Sequence, residues 1–348
     1  MALKVLDETG IAQLVERLRA DMRVVGPTIK ERDFVHFAEV RDPAELVLQY
    51  TTTTIPPKQF LLPPREDILR FKAGEELEVK PILEGEPTAL MGVHPCDIYA
   101  IGCQDLVYRE NGADPHYFER RNKLKIIGVD CMPDEWCFCA SMGTARVETG
   151  YDLFLTPVDG EYICEVGTAG GGELLEAVPG RAGEPKDLAA LKAHLDHKIS
   201  SQTRKIECDV SALPLHFTAF EGAETWKSTA ERCYSCGTCN LVCPTCVCFD
   251  VQDEVEMDLT TGTRRRAWDG CMLRDFAVVA GGENFRDEPY ERLRHRFYRK
   301  YAYLFAKFGM PFCCGCGRCV RQCLADIDPV EVINSLLAET KKGAYADV

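Results

Sequence analysis

The stretch Cys233–Asp250, CYSCGTCNLVCPTCVCFD, places six cysteines within sixteen residues. Cys233, Cys236, Cys239 and Cys243 are spaced C-x2-C-x2-C-x3-C, and Pro244 follows. This is the bacterial ferredoxin run, in which three cysteines on a tight loop each reach one iron of a cubane and the fourth serves a neighbouring cluster. Gly237 suits such a loop because glycine tolerates positive φ. Zinc sites pair two well-separated C-x2-C hooks and fit the spacing less well.

A second run, MPFCCGCGRCVRQCLADIDP, repeats the spacing with Cys313, Cys316, Cys319 and Cys323. Leu324 stands where a proline usually follows, and Pro329 comes later. With the crossover of the fourth cysteine, one [4Fe-4S] cluster is expected on Cys233, Cys236, Cys239 and Cys323. The other is expected on Cys313, Cys316, Cys319 and Cys243. Cys314 breaks the pattern and reads as a bystander.

Working outward, 69 residues lie between Cys243 and Cys313, more than a compact ferredoxin needs. PTCVCFDVQDEVEMDLTTGTRRRAWDGC reads as a hairpin turning at Thr261-Gly262 and ending near Trp268. It brackets Cys246, Cys248 and Cys271. Two readings of these thiols stand: a further metal site with one ligand from elsewhere, or an apolar wall shielding the clusters. RDEPYERLRHRFYRKYAYLFAKF then forms a helix carrying Arg292, Arg294, Arg296, Arg299 and Lys300. A solvated face is expected, with a docking face for an acidic partner or an anionic cofactor as the alternative.

The N-terminal region holds another group. MGVHPCDIYAIGC supplies Cys96, and KLKIIGVDCMPDEWCFCASMGT supplies Cys131, Cys137 and Cys139. LKIIGVDC reads as a buried strand ending at Cys131. Four thiols are the full complement for a third [4Fe-4S] cluster. A zinc site and no metal at all remain alternatives, since the spacing is not a ferredoxin run. His94 is two residues from Cys96, where a structural role and a hydrogen bond to a ligand both fit. Cys103, Cys164 and Cys208 read as core thiols.

The chain has 348 residues, 19 cysteines and a net charge of -14. An odd cysteine count in a chain of this size, with no export signal, argues for metal rather than disulfides. The acidic balance disfavours nucleic acid as a partner. No apolar run is long enough to span a membrane. The opening MALKVLDETGIAQLVERLRADMRVV reads as an amphipathic helix of a cytoplasmic protein rather than a signal peptide.

The expected fold is α+β. An N-terminal α/β domain covers 1–225, with helices over Ile11–Met22 and Asp187–Ser200 and strands over Lys123–Val129 and Tyr151–Thr156. A two-cluster ferredoxin-like domain covers 226–335, with a long hairpin-plus-helix insertion over 246–312. A tail covers 336–348, and the last helix is expected over PVEVINSLLAET. EVGTAGGGELLE (Glu165–Glu176) has neither Rossmann nor P-loop spacing and reads as a turn. RAGEPKD reads as a loop. No catalytic motif is present, and no catalytic residue is assigned.

The chain resembles the family that unites the beta chain of sulfhydrogenases with the iron–sulfur chain of anaerobic sulfite reductases. The resemblance runs through IPPKQFLLPPREDILRF, GVHPCDIYAI, DPHYFERRNKLKIIGVDC, CFCASMGT, CYSCGTCNLVCPTCVCFDV, RRRAWDGC, AGGENFR and CGCGRC. It implies an electron-transfer subunit that passes single electrons from a reductase subunit that binds FAD and NAD(P) to a terminal catalytic subunit, or the reverse. That terminal subunit would be a hydrogenase, a sulfite reductase or a heterodisulfide reductase-like enzyme. A free-standing iron–sulfur oxidoreductase with its own substrate site, and a regulatory iron–sulfur protein, are the rival readings.

Overall fold

The computed structural model describes residues 3–31 and 34–344. β1 (Lys4–Leu6) leads into α1 (Glu8–Arg19), capped by Asp7, whose carboxylate accepts from the Gly10 amide. Ile11, Leu14, Val15 and Leu18 recur at helical spacing and form its buried face. β2 (Arg23–Ile29) and β3 (Val35–Glu39) pair antiparallel, and so do β4 (Arg65–Lys72) and β5 (Glu78–Pro81). β6 (Thr88–Val93), α2 (Pro95–Arg109), α3 (Pro115–Arg121) and β7 (Leu124–Val129) follow. The region closes with β8 (Leu153–Val158), β9 (Glu161–Val166), α4 (Ala169–Glu176), β10 (Arg181–Ala182) and α5 (Pro185–Ser200).

The main sheet has eight strands in the order β10, β1, β9, β8, β7, β6, β2, β3. Its centre, β2-β6-β7-β8, is parallel and its margins are antiparallel. The central strands read as near-continuous apolar runs because helices cover both faces. On one face Leu14, Val15 and Leu18 of α1 and Leu175 of α4 pack against Val24, Ala89, Ile127 and Leu153. On the other, Ile98 and Ile101 of α2 pack against Leu90, Ile126 and Phe154.

The C-terminal region contains α6 (Leu213–Ala219), α7 (Thr225–Ala230), α8 (Thr238–Leu241), β11 (Phe249–Val255), β12 (Thr261–Trp268), α9 (Pro289–Tyr298), α10 (Leu304–Phe308), α11 (Arg318–Arg321) and α12 (Pro329–Ala344). A π-helical turn, Arg299–Tyr303, joins α9 to α10. The two ferredoxin runs build the same local structure twice. Gly237 (φ 72°) opens α8 and Gly317 (φ 71°) opens α11, each in the left-handed region that favours glycine. Trp226, Phe217, Phe297, Tyr301 and Leu336 form the core beneath.

The hairpin does not stand alone. β12 pairs antiparallel with β4, so a second sheet, β11-β12-β4-β5, is built from both halves of the chain. Buried Arg266 of β12 reaches Glu66 of β4 and, at 2.6 Å, Asp114, while Arg120 also binds Glu66.

Four expectations change. The hairpin turns at Glu256–Thr260, not at Thr261-Gly262, which begin β12. Asp258 builds that turn, accepting from the Thr260 and Thr261 amides at 2.9 and 2.8 Å. The glycine-rich stretch is a helix, α4, because Thr168 caps it and Gly171 permits close approach to the Asp152 carbonyl. Within RAGEPKD, Arg181–Ala182 is the edge strand β10 and α5 starts at Pro185. The last helix runs to Ala344, so residues 336–344 are helical and Leu336 and Leu337 lie in the core. The end of the expected tail, 345–348, lies outside the described residues.

Candidate iron–sulfur sites

The four cysteine sets of the sequence come together as four neighbouring groups. Cys233, Cys236, Cys239 and Cys323 line one cavity with Met272, Leu293, Arg296 and Ile327. The Ser235 and Ile327 amides donate to Cys233 Sγ and Cys323 Sγ, each at 3.4 Å. Cys236 is exposed, and its thiol is pulled below its ordinary pKa by Thr238. Burial pushes Cys239 up to about 12.

Cys243, Cys313, Cys316 and Cys319 line a second cavity, walled by Phe138, Tyr301 and Pro329. Cys319 and Arg296 line both cavities. Cys314 is not a bystander in position. It is buried, and the Cys316 and Cys96 thiols beside it raise its pKa.

The third group sits at the carboxyl ends of the parallel strands. Cys96 is in the first turn of α2, Cys131 lies two residues past β7, and Cys137 and Cys139 follow in the loop. Burial raises the Cys137 thiol first, and then Cys96, Cys139 and Cys131 raise it further, so the four thiols sense one another. The Gln202 amide nitrogen donates to Cys139 Sγ at 3.2 Å. This loop seats on the second ferredoxin run. The Phe138 amide donates to Gly315 O at 2.9 Å, and the Thr144 hydroxyl to Cys314 O at 2.7 Å. A Cβ at Gly317 would stand 2.6 Å from Trp136 O, so the contact requires glycine. His94 is buried and stacks on Tyr50 at 3.9 Å, and its Nε2 has no hydrogen-bond partner among the described residues.

Cys246, Cys248 and Cys271 form the fourth group, around a cavity of about 250 Å³, with Asn240, Thr245, Phe276, His295, Arg299 and Lys300. Cys103 packs with Leu304 and Phe312, and Cys164 lies in the sheet core. Cys208 packs at the edge of the C-terminal core.

Buried cations surround these thiols, and the solvated reading of the basic helix is thereby corrected. Arg292, Arg296 and Lys300 are four residues apart, share one helix face and are buried. Burial works against the charge of Arg296, while Cys239, Cys319, Cys243 and Cys246 hold it protonated. Lys300 is held in the same way by Cys243 and Cys246 and donates to the Thr245 hydroxyl at 2.7 Å. Lys58 donates to Cys243 O and Cys246 O at 2.8 and 3.1 Å. Burial lowers its pKa against the pull of Cys246 and Cys243. Around the N-terminal thiols, Lys198 pairs with Asp130 and Arg318 pairs with Asp97. The sequence reading missed all of these except as a charge run. The spacing 292, 296, 300 was the signal available.

These groups fit cubane clusters. Thiolates are the donors that iron–sulfur clusters take. Among the described residues, no three Cys, His, Asp or Glu side chains converge where one ion could sit. A cubane asks for a wider cage, since each thiolate binds a different iron. Among the described residues, Lys58, Arg296 and Lys300 also have no carboxylate within ion-pair distance. Buried cations need a counter-charge, and an anionic cluster supplies one.

A family model for the 4Fe-4S dicluster domain matches residues 232–327. The beta subunit of sulfhydrogenase 2 from Pyrococcus furiosus (strain ATCC 43587 / DSM 3638 / JCM 8422 / Vc1) is 36% identical over 330 residues, covering 93% of this chain and 95% of the relative. Among the described residues no helix is long and apolar enough to cross a membrane. The chain belongs to the sulfhydrogenase beta-subunit family and is an iron–sulfur electron-transfer subunit of an oxidoreductase.

Proposed function

We propose that the chain relays single electrons between two partners in a cytoplasmic complex: a reductase subunit that binds FAD and NAD(P), and a terminal catalytic subunit. The relative's name suggests a hydrogenase as that terminal partner. Two [4Fe-4S] clusters are assigned to the ferredoxin runs as the sequence spacing has it, and a third to Cys96, Cys131, Cys137 and Cys139. When bound, such clusters each give or take one electron. The chain's own residues do the rest. Cysteines fix the spacing, Arg296, Lys300 and Lys198 offset negative charge, and Phe138, Tyr301 and Leu293 keep water out.

The observation that carries this reading is continuity. Cys319 lines both ferredoxin cavities, and the loop of Cys137 and Cys139 seats on the second run through Phe138 on Gly315 and Thr144 on Cys314, so the three groups are contiguous. The series has a surface at each end. Cys236 is exposed at one, and Cys131 lines an open pocket of about 570 Å³ at the other.

That pocket also favours a second reading, a substrate site of the chain's own. It is lined by Asp130, His194, His197 and Asp159 at the carboxyl ends of the central strands, where open α/β sheets bind ligands. Anaerobic co-purification separates the two. A relay subunit comes with a flavoprotein and a catalytic partner and does not turn over NADPH alone. Turnover of NADPH by the isolated chain would sink the relay reading.

A further inference from the structure

We propose that Cys246, Cys248 and Cys271, with the His295 imidazole as fourth donor, hold a further [4Fe-4S] cluster beside the ferredoxin pair. The proposal rests on the reading of the chain as a cluster-bearing relay and adds a branch to it. The hairpin brings the thiols together. Phe249 pairs with Trp268, and the Asp269 amide donates to Cys248 O at 3.2 Å. Cys248 and Cys271 thus flank the open end of the hairpin, and Cys246 precedes it.

Buried Asn240 stands among them. Its Oδ1 accepts from the Met272 amide at 3.0 Å. Its amide nitrogen lies 3.7 Å from Cys246 Sγ and 3.6 Å from Cys271 Sγ, aimed at sulfur. Gly270 admits it, since a Cβ there would stand 2.6 Å from the Asn240 side chain. Amide donors to sulfur are a means by which proteins stabilise reduced clusters.

The apolar-wall alternative does not account for the charges. Arg296, Arg299 and Lys300 line the same cavity, and Lys58 holds the Cys246 carbonyl beneath it. Lys58, Arg296 and Lys300 are no more than 6% exposed, and among the described residues Arg296 Nε has no hydrogen-bond partner. Arg296, Lys300 and Lys58 also face the ferredoxin run, but Arg299 stands beside Cys248 in this cavity, and a wall of neutral thiols would leave it without a counter-charge. The cavity holds about 250 Å³, against about 40 and about 20 Å³ at the ferredoxin runs. Among its lining residues, His295 is the remaining side chain of a type that ligates iron.

The test is iron, acid-labile sulfide and the electron paramagnetic resonance of the dithionite-reduced full-length chain, purified without oxygen. About 16 irons per chain are expected, falling to about 12 in Cys248→Ser with loss of one signal. His295→Cys should keep about 16 and shift that signal alone. About 12 irons in both wild type and Cys248→Ser would overturn the site, while a further drop in Cys137→Ser would leave the relay reading standing. About 8 in the wild type would overturn both this site and the third cluster, leaving the ferredoxin pair as the relay. Full iron and an unchanged spectrum in His295→Ala would remove His295 from the ligand set and overturn the proposal as stated.

Discussion

Replacing Arg318 by Met should loosen the seat between the N-terminal cysteine loop and the second ferredoxin run. Both terminal guanidinium nitrogens of Arg318 bind the Asp97 carboxylate at 2.7 Å, and Nε donates to Thr53 O at 2.7 Å. Both side chains are 1% exposed. Asp97 follows Cys96, and Arg318 lies between Cys316 and Cys319 in sequence. Removing one partner of a buried pair leaves an uncompensated charge and costs about 3–5 kcal/mol. At about 1.4 kcal/mol per factor of ten, local opening becomes roughly a hundredfold to several thousandfold more frequent. Hydrogen exchange under anaerobic conditions reads this directly at the Phe138 amide, which donates to Gly315 O across the seat. The double variant Arg318→Met, Asp97→Leu removes both charges and should recover most of the protection. Unchanged exchange in the single variant, or a double variant as open as the single, would refute the reasoning.

Other outcomes follow from the same geometry. Gly317→Ala forces a side chain onto φ 71° and 2.6 Å from Trp136 O, so it should cost about 1–3 kcal/mol and lower the thermal midpoint. A midpoint within error of wild type would count against the glycine argument. Lys300→Met removes a cation that faces Cys243, Cys246 and Cys313. The corresponding midpoint potential should fall by several tens of mV, since about 59 mV is a tenfold change for one electron; spectroelectrochemistry checks it, and a rise would be the wrong sign. Asp258 at the hairpin turn is held at about 2 by the Thr261 and Thr260 amides. A depressed carboxylate stabilises fully above its ordinary value near 3.8 and loses that contribution as the pH falls through its folded pKa. The Thr261 amide resonance should therefore stay flat as the pH is lowered from about 7 towards about 4.5, above the range in which acid strips the clusters, and a shift already under way there, heading for a midpoint near 3.8, would show the turn to be absent in solution.

The ferredoxin runs were legible because a cubane dictates spacing, and Gly237 adopts the positive φ that the loop needed. The α1, α5 and β7 segments were legible from periodicity and length. Three things were not. The β4–β12 pairing joins segments nearly 200 residues apart, and no local pattern announces it. The helix α4 hides in a glycine run because its stability comes from the Thr168 cap and from close packing at Gly171, not from propensity. The basic helix misled because charge ordinarily means solvent. Here Arg292, Arg296 and Lys300 face inward, towards thiols that the sequence alone did not place beside them.

The N-terminal thiols are assigned a cluster next to the ferredoxin pair. Iron per chain, measured side by side on anaerobic wild type and Cys137→Ser, tests that assignment most directly. The variant should lose about 4 irons, with the signals of the ferredoxin pair intact. Equal iron in the two proteins would contradict the assignment and leave the third group as buried thiols.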